Sequence, residues 1–112
     1  DFVIMEGSGG ILCPLRWDGR QELWLENVIK ELNLPCLVVA DSGLGTINAT
    51  LLTLEYLNSK HIPAKGVILN HFHPENGMEQ DNRRMIEQKG NVPVVACVPE
   101  GAKEIMVTLP FP

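Results

Sequence analysis

Cysteine is scarce. Only Cys13, Cys36 and Cys97 occur in 112 residues, and their odd number, wide spacing and apolar surroundings exclude a disulfide framework or zinc knuckle and fit reduced core thiols. No apolar run approaches the length that spans a bilayer, so no membrane partner is expected. Basic residues are few: nine Lys and Arg, scattered along the chain, stand against fourteen Asp and Glu, for a net charge of -5. That balance excludes a nucleic acid held through its phosphates, though not a small anion held by backbone. None of the five lysines follows a glycine and precedes Ser or Thr, so a G-x-x-x-x-G-K-[ST] phosphate loop is absent. No secretory leader is visible, and the expected location is the cytoplasm. The chain opens on Asp1 and runs straight into apolar residues without Met, which reads as a piece cut from a longer protein.

What is present suggests one compact domain, with 45% hydrophobic and 21% charged residues. Residues 2–5 form a short apolar run closed by Glu6 and a glycine cluster, the pattern of a strand buried on both faces. Leu25, Val28, Ile29 and Leu32 repeat at helical spacing, and Pro35 leads into a strand over 36–40. Ile47, Leu51, Leu54, Tyr56 and Leu57 give a second helix, closed before Pro63, and 66–69 a further strand. Residues 79–89 read as a helix with a thin apolar face, mainly Met85 and Ile86, stopped by Gly90. A last strand covers 94–98 and ends at Pro99. Strand and helix alternate, so the class is α/β, with a parallel sheet and right-handed helical crossovers. Ligands in such sheets collect beyond the carboxyl ends of the strands. Four loops fall there: 6–10, 41–48, 70–71 and 99–101.

The sequence Asp41-Ser42-Gly43-Leu44-Gly45-Thr46-Ile47-Asn48 joins a strand to a helix start, where unpaired N–H groups and the helix dipole favour an anion. Its Gly43-x-Gly45-x-x-Asn48 spacing lacks the third glycine of a dinucleotide fingerprint, and the neutral Asn70 stands where an acid would hold a ribose. The glycines serve either an anion or merely a tight turn. Glu6, at the end of the expected buried strand, faces either a cation or nearby amides. His71-x-His73 permits a metal pair, but Pro74 and Asn76 and the missing third ligand favour a solvated loop. His61 reads as a helix-end residue. Trp17 and Trp24 bracket a polar loop and suit a sheet edge or interface better than a cofactor stack. Asn70 suits either a nucleobase edge or a turn cap.

Taken in order, Glu6-Gly7-Ser8-Gly9-Gly10 with residues 11–14, Leu34-Pro35, the 41–48 turn with Leu51-Leu52-Thr53, Gly66-Val67-Ile68-Leu69-Asn70 and Val98-Pro99 resemble the dethiobiotin synthetase family across nearly the whole chain. The resemblance implies the C-terminal half of a P-loop NTPase-type three-layer fold, so that residues 1–112 form a single partial domain. It also implies a homodimer that uses ATP and Mg²⁺ to carboxylate diaminopelargonic acid with CO₂, through a carbamate and its phosphorylated form, and to close the ureido ring of dethiobiotin. By the same resemblance Glu6 would be a Mg²⁺ ligand. Gly7, Gly9 and Gly10 would line the substrate and phosphate side, and Gly45, Thr46, Ile47 and Asn48 would offer backbone amides to the substrate carboxylate across the dimer interface. Asn70 would hydrogen-bond adenine, with Pro99, Glu100 and Gly101 completing the base pocket.

Phosphoryl transfer needs positioning and charge neutralisation more than covalent chemistry, so these parts suit it. The family's phosphate-binding lysine, metal-binding threonine, carbamate lysine and a further metal-binding acid would lie in an N-terminal half outside this sequence. The expectation is an inactive fragment with exposed sheet edges and apolar surface. Two rivals are a non-catalytic, dimerising anion-binding module and another ATP-dependent ligase of the same fold.

Overall fold

The computed structural model describes residues 1–108, which fall into two compact units divided after Leu34. In the first, β1 (Pro14–Trp17) and β2 (Glu22–Trp24) form an antiparallel hairpin followed by α1 (Leu25–Glu31). The hairpin turn is built by Asp18, whose carboxylate accepts from the backbone N–H groups of Arg20 (3.0 Å) and Gln21 (2.9 Å). Arg16 pairs with the same carboxylate at 2.6 Å. The Gln21 amide and the Arg16 guanidinium hold the Asp18 carboxyl below its usual range. Trp17 and Trp24 pack edge to face across the strands, centroids 5.8 Å apart. They are a cross-strand pair of the hairpin, which the residue pattern did not announce.

Residues 2–5 do not form the expected buried strand: Phe2, Val3 and Ile4 are 86%, 96% and 92% exposed. An apolar run becomes a strand only when a neighbour takes its N–H and C=O groups. No described strand pairs with this one.

The second unit runs β3 (Cys36–Asp41), α2 (Thr46–Ser59), β4 (Ala64–Asn70), α3 (Gly77–Gly90), β5 (Val94–Cys97). Its three strands are parallel in the order β3-β4-β5, so each helix is the crossover between neighbours. The chain is therefore α/β, a parallel sheet flanked by helices as in P-loop NTPase-type three-layer folds. Leu54 from α2, Ile86 from α3 and Val67, Leu69 and Val94 from the sheet close the core with Phe72. On the other sheet face, a Cβ on Gly66 would meet Val95 Cγ1 at 2.6 Å, so the buried Val95 side chain occupies the space above that glycine. Among the described residues β3 lies at one edge of this sheet, and its Val39 is 66% exposed.

Two details of α3 differ from the sequence reading. Ile86 is its one buried apolar side chain, since Met85 is half exposed. Gly90 is not the left-handed stop: that role falls to Asn91 at φ 51°, while a Cβ on Gly90 would lie 2.7 Å from Leu54 Cδ1. Gly90 lets the Leu51 and Leu54 side chains of α2 pack close against the end of α3. Cys13, Cys36 and Cys97 are free thiols of intermediate burial, and Cys97 packs against the core cluster. Burial pushes the Cys36 and Cys97 thiols up. Among the described residues no helix is long and apolar enough to cross a membrane.

Candidate functional site

Parallel register sets Asp41 beside Asn70 and Leu69 beside Cys97, so the strands of the second unit end on one level. Hydrogen bonds carry the alignment beyond the strands. Ser42 N–H donates to Asn70 O (3.1 Å), Val98 N–H to Leu69 O (2.8 Å) and Phe72 N–H to Val98 O (2.9 Å). Asn70 therefore lies beside the chain that leads into Pro99, Glu100 and Gly101. Its carbonyl is taken by Ser42, which leaves its side-chain amide as the remaining polar group. Residues 99–102 form a turn with Gly101 at φ 74°, closed by Ala102 N–H to Pro99 O (3.2 Å). The ends of β4 and β5 thus set Asn70 and the 99–102 turn on neighbouring loops.

The 41–48 turn is held from beneath. Ser42 is fully buried, and its hydroxyl donates toward His71 O (2.7 Å) and Glu79 Oε2 (3.2 Å). Asn82 Nδ2 donates to the carbonyls of Ser42 (3.0 Å) and Gly43 (3.3 Å). Gly45 at φ 90° turns the chain into α2, a conformation costly for any other residue. Thr46 Oγ1 caps Asp41 O, and its N–H turns back to Gly43 O (3.3 Å). The first-turn N–H groups of Ile47 and Asn48 have no earlier helical carbonyl to bond. Gly45, Ile47 and Asn48 stand at one end of an open groove of about 930 Å³ that follows α2 past Leu51 and Glu55 to Lys89 and Asn91. Asn70 and the 99–101 turn lie outside it.

Sequence reasoning missed the two residues that organise this turn, Glu79 and Asn82, both buried on α3. A signal existed. Asn76 is the N-cap of α3, its side chain accepting from Met78 N–H (3.0 Å) and Glu79 N–H (3.3 Å). Asn followed three residues later by Glu is the signature of a reciprocally capped helix start. Glu79 leans back from that position to accept from His73 N–H (2.6 Å) and to pair with His73 Nδ1 (3.0 Å). His71 pairs instead with Asp41, Nδ1 to Oδ1 3.2 Å. The two histidines are thus bound to separate carboxylates, and no group of three or more metal-ligating side chains occurs among the described residues.

The hydrogen bond and charge of Glu79 hold the His73 imidazole above its usual 6.5, with Glu100 and Glu75 adding to the effect. Glu79 is held below its usual 4.5, chiefly by the His73 backbone N–H and then by the His73 ring and Ser42 hydroxyl, against the opposing push of burial. A raised histidine pKa stabilises the fold fully below its ordinary value, and the benefit is lost as pH rises through the raised one. A depressed carboxylate pKa stabilises above its ordinary value, and the benefit is lost as pH falls through the depressed one. The stability difference between wild type and His73→Gln is therefore expected to be greatest between pH 4.5 and 6.5. Urea denaturation across pH measures it; a difference that keeps growing above neutrality would contradict the pairing.

In the first unit, Glu6 is exposed on irregular chain and not at the end of a buried strand. Gly9 and Gly10 have φ of 81° and 83°. A Cβ on Gly7 would meet the end of the Leu25 side chain, which would have to shift to admit it. One exposed carboxylate fits one position around Mg²⁺, which keeps several waters and takes one or two carboxylates together with phosphate oxygens.

The family profile described as AAA domain matches residues 1–104. The ATP-dependent dethiobiotin synthetase BioD of Brachyspira hyodysenteriae is 52% identical over 101 residues, which are 90% of this chain and 46% of that protein. Its namesake from Clostridium botulinum strain Loch Maree is 45% identical over 97 residues, 87% of this chain and 42% of that protein. The Clostridium perfringens protein of that name is 43% identical over 100 residues, 89% and 43%. The chain spans less than half the length of these curated relatives. With a parallel sheet whose strand ends carry the 41–48 turn and Asn70, the chain belongs to the AAA domain family and over 87–90% of its length is homologous to the dethiobiotin synthetases.

Proposed function

We propose that this chain is the C-terminal half of an ATP- and Mg²⁺-dependent dethiobiotin synthetase, a single partial domain of a cytoplasmic homodimer acting on diaminopelargonic acid and CO₂. The observation that carries the reading is the 52% identity through 90% of the chain. It runs through the two loops whose geometry suits nucleotide and carboxylate.

Glu6 supplies one carboxylate to Mg²⁺, which when bound neutralises the phosphate oxygens. Gly7, Gly9 and Gly10 leave backbone accessible to substrate and phosphate. Asn70 reads the adenine edge with an amide that both donates and accepts, and Pro99, Glu100 and Gly101 wall the base. Gly45, Thr46, Ile47 and Asn48 present the start of α2 to the substrate carboxylate of the neighbouring subunit. The turn is suited to that task because Glu79, Asn82 and the Thr46 hydroxyl fix it from within, so the amides need no reorganisation when an anion arrives.

The lysine and threonine of a phosphate loop are absent from these 112 residues. That absence favours a second reading for the isolated chain, a dimerising anion-binding module without catalysis. The full-length protein is expected to release ADP only when diaminopelargonic acid, CO₂ and Mg²⁺ are supplied, whereas the 112-residue chain hydrolyses no ATP under the same conditions. Sustained turnover by the rigorously purified chain would overturn the assignment of the phosphate loop to another segment. ADP release with a different amine or carboxylate, and none with diaminopelargonic acid, would favour another ligase of this fold.

A further inference from the structure

His73 stands between two carboxylates of different character. Its Nδ1 lies 3.0 Å from Glu79 Oε1, and its Nε2 lies 3.5 Å from Glu100 Oε2. The Glu79 side chain is 7% exposed and the Glu100 side chain 73%. The inner carboxylate is also fixed by the His73 N–H and the Ser42 hydroxyl, while the outer one reaches the frame through the imidazole. A neutral imidazole carries one N–H and must turn a lone pair toward one of the two acids. Only the imidazolium donates to both.

We propose that the His73 imidazolium is a positioning residue that ties the 99–101 turn to the buried Glu79 and thereby sets nucleotide affinity. The proposal rests on the reading of Pro99, Glu100 and Gly101 as part of the base pocket. His73 touches no nucleotide in this scheme; it acts through Glu100. The charged groups that face the ring are Glu79 of α3, Glu100 of the turn after β5 and Glu75 of its own loop. All three are acidic, so each favours the protonated ring. Beyond them, the neighbouring His71 is engaged by Asp41 at the end of β3. Loss of the proton removes one of the two donated bonds, and the partner most readily released is Glu100, which solvent can take over. The turn then keeps its Ala102 to Pro99 hydrogen bond and the backbone bonds of Val98 to Leu69 and Phe72, but the Glu100 side chain loses its tie to Glu79.

The test is calorimetric titration of the full-length protein with ATP and Mg²⁺, without diaminopelargonic acid, from pH 6 to pH 8.5. The titration of ATP itself is common to all variants and cancels in the comparison. At the acid end, His73→Gln and Glu100→Gln are each expected to weaken binding about five-fold, the order of one hydrogen bond. The gap between wild type and His73→Gln should close as pH rises, and His73→Gln in the Glu100→Gln background should cost nothing further. Because Glu100 is exposed, its replacement leaves the fold intact. In NMR titrations the His73 ring should lose its proton at lower pH in Glu100→Gln than in wild type. A His73 that merely supports Glu79 would give the same loss with Glu or Gln at position 100 and an unchanged ring titration, and either result overturns the proposal. A wild type that binds no ATP overturns the base-pocket reading and the proposal with it, whereas tight, pH-independent binding overturns the proposal alone.

Discussion

Glu6→Gln in the full-length protein is expected to lower Mg²⁺-dependent turnover by about a hundred-fold, the scale seen when one electrostatic contributor to a transition state is removed. The amide keeps the size and shape of the carboxylate and loses its charge, so the substitution isolates the metal role. The competing explanation for an acid in this position is structural, a carboxylate hydrogen-bonded to neighbouring amides. That explanation predicts a loss of stability as well. Here Glu6 is exposed on irregular chain, so thermal unfolding of the variant should match wild type while turnover falls and the Mg²⁺ needed for half-maximal rate rises. Unchanged activity at limiting Mg²⁺ would remove Glu6 from the metal site, and a large drop in unfolding temperature would return it to the structural explanation.

Ile86→Ala is expected to cost about 2–5 kcal/mol, the range for truncating a fully buried large aliphatic side chain. Ile86 has no exposed surface and packs in the cluster of Leu54, Val67, Leu69, Phe72 and Val94. It is the main apolar anchor of α3, whose neighbour Met85 is 52% exposed, so little else compensates. Met85→Ala, the adjacent control, should cost well under half as much. Chemical denaturation of both variants decides the matter, and equal losses would mean that α3 packs on a different face. Total stabilities of about 5–15 kcal/mol make such a loss a large fraction of what the chain has. Because α3 also carries Glu79 and Asn82, a loosened helix frees the 41–48 turn before the molecule unfolds as a whole.

These two residues mark the boundary of what could be read from composition and spacing. β3, β4 and β5 were legible because continuous β-branched runs bounded by Pro and Gly have few alternatives, and α2 because its apolar positions recur at helical spacing. The places of the 41–48 turn and of Asn70 at the strand ends followed from topology, since strand ends in a parallel sheet are where ligands gather. The hairpin of β1 and β2 was illegible: its strands are four and three residues long, too short for alternation to emerge, and the Asp18 turn that joins them depends on side-chain hydrogen bonds. Residues 2–5 failed in the opposite way. Their pattern says strand, but pairing is a property of the neighbour as much as of the run itself. Glu79 and Asn82 lay among charged and polar residues of a helix that reads as a solvated face, and only the capped start at Asn76 distinguished Glu79 from its exposed neighbours. Gly90 was misread because a glycine at the end of a helix has two physical uses, left-handed termination and close packing, that look identical in one dimension.

The contact of Gly66 with Val95 has a consequence for sequence drift. Val95 occupies the space a side chain at position 66 would need, with its nearest methyl 2.6 Å from where that Cβ would sit. Neither position can therefore change freely on its own. A larger residue at 66 becomes tolerable only after 95 has shrunk, and a shrunken 95 without that change leaves a void, so each route between the two arrangements passes through a destabilised intermediate. The two sites should be substituted together or not at all, a coupling written into adjacent strands 29 positions apart along the chain.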